Sequence, residues 1–266
     1  MSAPPHGTEW LSPIGEPVPF RMKTSYWGYV VPTWRSHLLP SMARRVSRGL
    51  VGGCALLLGV VAVTACGAPQ FTYVANSGAN TYFKVPYDWH KIAASALTSG
   101  EKAAGVGGAP WQVAYEAGAS PSGGSFLSFD LSQPFVFAEI GGLDSTASQE
   151  MSYDALKDAF LPVTSSAQST WQKAYADDEA PDPWADFKQL SDRTLTLPGG
   201  VHGVREIFDY TWAPQGITDT WDEIALTNAD QTTVYLLVLH CKASCYSSDQ
   251  AEINDVMSSF TIRSPS

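Results

Sequence analysis

Apolar and polar positions change period several times along this chain, and each change marks an element. Phe71-Thr-Tyr-Val74 and Thr81-Tyr-Phe-Lys-Val-Pro86 alternate aromatic and β-branched residues with polar ones, which predicts two strands, the second stopped by Pro86. Ile92 to Leu97 is alanine-rich and suits one or two helical turns before a Gly-rich loop. Trp111–Glu116, Phe126–Leu131 and Pro134–Ile140 read as further strands. Ser152 caps a predicted helix running to about Leu161, and a second helical pattern covers Ser166 to Tyr175. Phe187–Leu197 with Val201–Trp212, joined at Pro198-Gly-Gly200, and Trp221–Thr227 with Thr232–His240 read as hairpins. Val234 to Leu239 is continuously apolar, so that strand is expected to be central and covered on both faces. Ser247 and Gln250 form a possible capping box for a last helix through Ile253, Val256, Met257 and Phe260, and Phe260–Arg263 ends the domain extended. The expectation is an α+β fold: an antiparallel sheet of about seven strands covered by two or three helices.

One apolar stretch does not belong to that domain. Arg44, Arg45 and Arg48 precede an uncharged run from Gly49 to Ala65, which closes on Val63-Thr-Ala-Cys-Gly67. Charge before an apolar run holds the N-terminus in the cytoplasm while the run enters the translocon, and small residues give a peptidase access to the backbone. The pattern resembles the bacterial lipoprotein signal and its lipobox. It implies cleavage before Cys66, diacylglyceryl attachment to that thiol, and residence at the cell membrane on its extracytoplasmic face. Residues 42–65 are thus read as signal peptide, 66–70 as lipidated tether and 71–263 as a single domain. Residues 1–41 hold seven prolines and no apolar period; they are expected to be a disordered or wrongly assigned leader, with translation starting at Met42.

Charge narrows the class of partner. The chain has 16 basic and 26 acidic residues; removing the 6 basic and 2 acidic ones before Cys66 leaves 10 against 24, a net charge of −14. Nucleic acid is not an expected partner, since no Lys and Arg clusters are available to release counterions. Of four cysteines, Cys54 leaves with the signal and Cys66 is lipidated. Cys241 and Cys245 remain, and in an oxidising compartment they are expected to form a disulfide clipping a strand to the following helix.

The common motifs of hydrolases, metalloproteases and phosphate-binding loops are absent, and no cofactor is implied. His90, His202 and His240 are scattered, so no catalytic residue is assigned. Asp177, Asp178, Glu179, Asp182 and Asp186 offer oxygen ligands for calcium, but the spacing misses the EF-hand and holds two prolines; a solvated acidic loop is expected, with no metal. Trp89, Trp111 and Trp212 sit in strand contexts and are expected in the core. Trp171 and Trp184 flank the acidic loop and, where exposed, mark a contact surface.

The order of elements, with Tyr82-Phe-Lys-Val-Pro86 and Trp89, the hairpin ending in Tyr235 to His240, and the closing helix into Ser258-Ser-Phe260, resembles the PsbP-like group, which also takes in many actinobacterial lipoproteins. The resemblance implies an α/β/α sandwich with no common catalytic site, in proteins that serve mainly as docking or accessory modules. A Gly/Ala-rich insertion after Trp89 and the acidic stretch near Asp177 depart from the group, so no partner-binding residue carries over. The expectation is a lipid-anchored, non-enzymatic module binding an envelope protein. A carrier or sensor of a small apolar lipid or glycan ligand is the first alternative, and a hydrolase without a recognisable motif the second.

Overall fold

The computed structural model describes residues 70–93, 97, 111–118, 121–122, 124–125, 128–177 and 182–263. In chain order the elements are β1 (Phe71–Asn76), β2 (Thr81–Pro86), β3 (His90–Lys91), β4 (Trp111–Glu116), β5 (Phe135–Gly142), α1 (Ser145–Glu150), α2 (Tyr153–Lys157), α3 (Ser165–Asp177), β6 (Trp184–Thr196), β7 (His202–Trp212), β8 (Ile217–Thr227), β9 (Thr233–Lys242), α4 (Ala243–Ser248), α5 (Gln250–Met257) and β10 (Thr261–Ile262). Residues 1–69, Cys66 among them, Asp178, Glu179 and residues 94–96 of the Ile92–Leu97 segment lie outside the described residues.

The α+β class is observed, with a refinement in the strands. They form two antiparallel sheets: a seven-stranded one in the order β3-β4-β5-β9-β8-β7-β6 and a three-stranded one in the order β1-β2-β10. β9 lies between β5 and β8, and Leu237 and Leu239 are fully buried. A strand covered on both faces leaves no polar alternation, which is why its sequence reads as one apolar run.

Register follows from the turns. Ala213 to Gly216 join β7 to β8, which sets Arg205 opposite Ile224 and Glu206 opposite Glu223. Gly203 is needed where these strands meet: a Cβ there would lie 2.0 Å from the Ala225 carbonyl oxygen. In the β6–β7 turn Gly199 and Gly200 take φ of 79° and 78°, a region costly for residues with a Cβ.

The two faces of the large sheet carry different cover. On one, α5 buries Ile253, Val256 and Met257, and the small sheet's inner side adds Val74, Phe83 and Val85. Phe83 meets Phe260 edge-on at 6.4 Å. The Cys241–Cys245 disulfide joins the end of β9 to α4, as a strand-to-helix clip. On the other face lie α2, with Leu156 inward, and the Phe129–Leu131 loop.

Local expectations hold unevenly. Ser152 caps α2, its hydroxyl accepting from the Ala155 amide at 3.1 Å, but the helix stops at Lys157. The capping box is not formed: Ser247 lies inside α4 and donates to the Ala243 carbonyl, and Asp249 occupies the cap of α5. Residues 128–131 are not a strand; Phe126 and Leu127 are outside the described residues. Phe129 instead turns onto the sheet and stacks on Trp212 at 4.6 Å, so burial of an aromatic ring and not strand pairing uses that apolar signal.

Candidate functional site

The cleft that Trp171 and Trp184 line together has a volume of about 70 Å³ and sits between α3 and the ends of β6 and β7. Tyr210 and Phe187 complete its aromatic walls, and Asp182 and Asp186 stand at its acidic side. Trp184 is 7% exposed, so the condition set for it as a contact residue, exposure, is not met. As the first residue of β6 it pairs with Trp212, and its indole meets Phe129 edge-on at 4.6 Å, Tyr210 at 5.3 Å and Trp212 at 5.7 Å. Packing of that many rings outweighs whatever an exposed indole gains from water.

Trp171 is half-buried on α3 and packs on Tyr175 at 5.7 Å. Its indole Nε1 is buried and has no partner among the described residues. The Tyr210 hydroxyl donates to the Pro162 carbonyl at 2.5 Å, holding β7 to the start of α3. Asp182 accepts from the Trp184 amide at 2.9 Å, while desolvation pushes its carboxyl up from the ordinary value. Desolvation, aided by the Asp182 charge, pushes Tyr175 to about 12. Asp186 takes φ of 52° beside a register shift in β6, a backbone form uncommon for a residue with a side chain. Aromatic faces next to desolvated carboxylates are suited to a cation.

On the same sheet face a row of acids crosses three strands. Asp192, Glu206 and Glu223 stand opposite one another on β6, β7 and β8. Lys157 of α2 donates to Asp192 at 2.5 Å and lies 3.8 Å from Glu206. That hydrogen bond holds Asp192 below its ordinary range. Burial raises Glu206 to about 7, helped by the Asp192 carboxylate. Glu223 is fully buried, and desolvation pushes its carboxyl well above the ordinary value. Among the described residues neither Glu223 oxygen meets a side-chain donor.

The histidines do not come together. His90 is exposed on β3, and His202 starts β7 with Nδ1 at 2.9 Å from the Gly200 carbonyl. His240 is buried, stacked on Trp221 at 4.0 Å, with Nδ1 at 3.4 Å from Asp219. Its Nε2 has no partner among the described residues, so no nucleophile is positioned on it there. Trp89 and Trp221 are core residues, while Trp111 and Trp212 are half-buried against it. Among the described residues no group of three His, Cys, Asp or Glu side chains could hold a metal. No described helix is long and apolar enough to cross a membrane.

No family model and no curated protein matches this chain. Solved structures do. The likeness is one of fold. Cyanobacterial PsbP from Synechocystis sp. PCC 6803 aligns at 11% identity with a TM-score of 0.42, over 75% of this chain and 96% of that one. The Saccharomyces cerevisiae Ran-binding protein Mog1p aligns at 10% identity and 0.38, over 73% and 96%. A Pseudomonas aeruginosa protein of unknown function aligns at 12% and 0.31, over 74% and 100%.

The row of acids escaped sequence reasoning, although a signal for it exists. With the β7–β8 turn placed at Ala213–Gly216, simple counting sets Glu206 against Glu223. Two like charges directly opposed in a hairpin are destabilising unless one is neutral, which points to burial.

Proposed function

We propose that this chain is a lipid-anchored extracytoplasmic docking module, whose α3–β6 cleft receives a basic side chain from an envelope protein. The observation that carries the reading is the cleft itself: aromatic walls and two carboxylates in about 70 Å³. That space is far below the several hundred Å³ that a lipid or glycan ligand needs. An arginine or lysine tip fits the chemistry, gaining cation–π attraction from Trp171 or Tyr210 and charge pairing with Asp182. The lipobox at Cys66 supports the anchor, and the net charge of −14 after it favours basic partners.

A short arginine-containing peptide titrated against the protein is expected to change tryptophan fluorescence saturably, and its citrulline counterpart is expected not to. Asp182→Asn should weaken binding about tenfold, equivalent to about 1.4 kcal/mol. Equal response to both peptides, or none to either, would overturn the cation-binding reading.

A further inference from the structure

The outer face of the small sheet has an unusual composition for so acidic a protein. Inward-facing Val74, Phe83 and Val85 leave Phe71, Tyr73, Tyr82 and Lys84 to point the other way, because side chains alternate along each strand. Tyr73 is 80% exposed and Tyr87, on the turn after β2, is 61% exposed. The Lys84 ammonium lies 3.9 Å from the Phe71 ring centroid and the Arg263 guanidinium 4.6 Å from that of Tyr82. These contacts leave both cations on the same outer surface as the rings.

Charge is partitioned as well. Residues 70–91 and 261–263 hold Lys84, Lys91 and Arg263 and a single acid, Asp88. The rest of the chain after Cys66 holds 7 basic and 23 acidic residues. On α5, which packs against β2, Glu252 accepts from the Trp89 indole at 3.0 Å and Asp255 is exposed.

This inference rests on the lipid anchor at Cys66. Four residues, and so five Cα–Cα steps, separate Cys66 from Phe71, a reach of at most about 18 Å. A domain of this length is about 40 Å across, so the tether cannot bring the far side of the domain to the lipid. Resting on that reading, we propose that the outer face of the small sheet lies against the membrane surface, with Tyr73, Tyr87 and Phe71 at headgroup depth and Lys84 and Arg263 on anionic headgroups. Tyrosine suits that depth because its ring is apolar and its hydroxyl polar. Cations add attraction within a Debye length. The acidic remainder is repelled by the same surface, so both signs of charge select one orientation. In that orientation the surface opposite the small sheet is left to the aqueous envelope.

The test uses the full acylated protein in vesicles of phosphatidylcholine and phosphatidylglycerol. A polarity-sensitive fluorophore is attached through Tyr73→Cys, and in a second sample through Leu190→Cys, another exposed apolar position, on the edge strand β6. Mass spectrometry first reports acylation of Cys66. With acyl chains present, headgroup-brominated lipid should quench about half the emission at position 73 and less than about a tenth at 190. Lys84→Glu with Arg263→Glu should reduce quenching at 73 and abolish its salt dependence. Equal, weak quenching at both positions in acylated protein would overturn the proposal. Shielding at 73 that lipid does not quench would overturn it too, since protein would then cover the face. An unacylated Cys66 would remove the anchor, and this inference with it.

Discussion

The two faces of the seven-stranded sheet treat buried charge in opposite ways. On the α5 side, Arg205 donates from Nε and Nη2 to both oxygens of Asp222, at 2.8 and 2.6 Å. Nη2 also donates to Asn254 at 3.0 Å, and the Tyr246 hydroxyl donates to Asp222 at 2.8 Å. The network ties β7 and β8 to α4 and α5, with both Asp222 oxygens accepting hydrogen bonds. On the α2 side, Glu223, Asp219 Oδ1, Trp221 Nε1 and His240 Nε2 are buried without described side-chain hydrogen bonds, and Glu206 Oε1 has only the Lys157 ammonium, at 3.8 Å. A satisfied network specifies a fold, whereas unmatched polar groups in a core are retained against a stability cost. The first face is therefore read as scaffold and the second as the face with room for function.

The largest expected effect lies in the scaffold. Asp222→Ala leaves Arg205 charged and unpaired in the interior and should cost about 3–5 kcal/mol in denaturant unfolding. A loss under about 1 kcal/mol would show that the arginine reaches water and that the contrast between the faces is overstated.

The opposite face should respond to pH. Glu206 is raised to about 7 in the fold, so its contribution is fully present below its unfolded value near 4.5 and is lost as pH rises through about 7. Stability should fall by on the order of 3 kcal/mol across that window. Glu206→Gln should flatten the slope, read from melting temperature against pH. A smaller effect of opposite sign is expected next to it: Glu223→Met should stabilise by about 1–3 kcal/mol, because a methionine of similar size has no carboxyl to desolvate. Destabilisation instead would mean that the carboxyl has partners worth more than its burial costs.

How much of this was legible follows from range. The apolar run in β9, the Ser152 cap and the Pro198–Gly200 turn are local signals, and each is found where it was read. The split into two sheets was not legible, because β10 pairs with β2 across nearly the whole domain and contributes only Thr261 and Ile262. The burial of Trp184 was not legible for a similar reason. Its neighbours in sequence are acids and prolines, while its neighbours in space, Phe129 and Tyr210, come from a distant loop and strand. Of the cleft, both tryptophans and the acids were visible by proximity along the chain; Tyr210 and Phe187 were brought in by pairing of β6 with β7.

The central claim, a lipid-anchored docking module, is tested most directly by native mass spectrometry of the protein gently extracted from its own envelope, beside its Asp182→Asn variant. The account predicts acyl groups on Cys66 and a second polypeptide retained by the first protein and lost from the variant. A stoichiometric small molecule of a few hundred daltons beyond the acyl groups, held equally by both, would contradict it and make the chain a carrier.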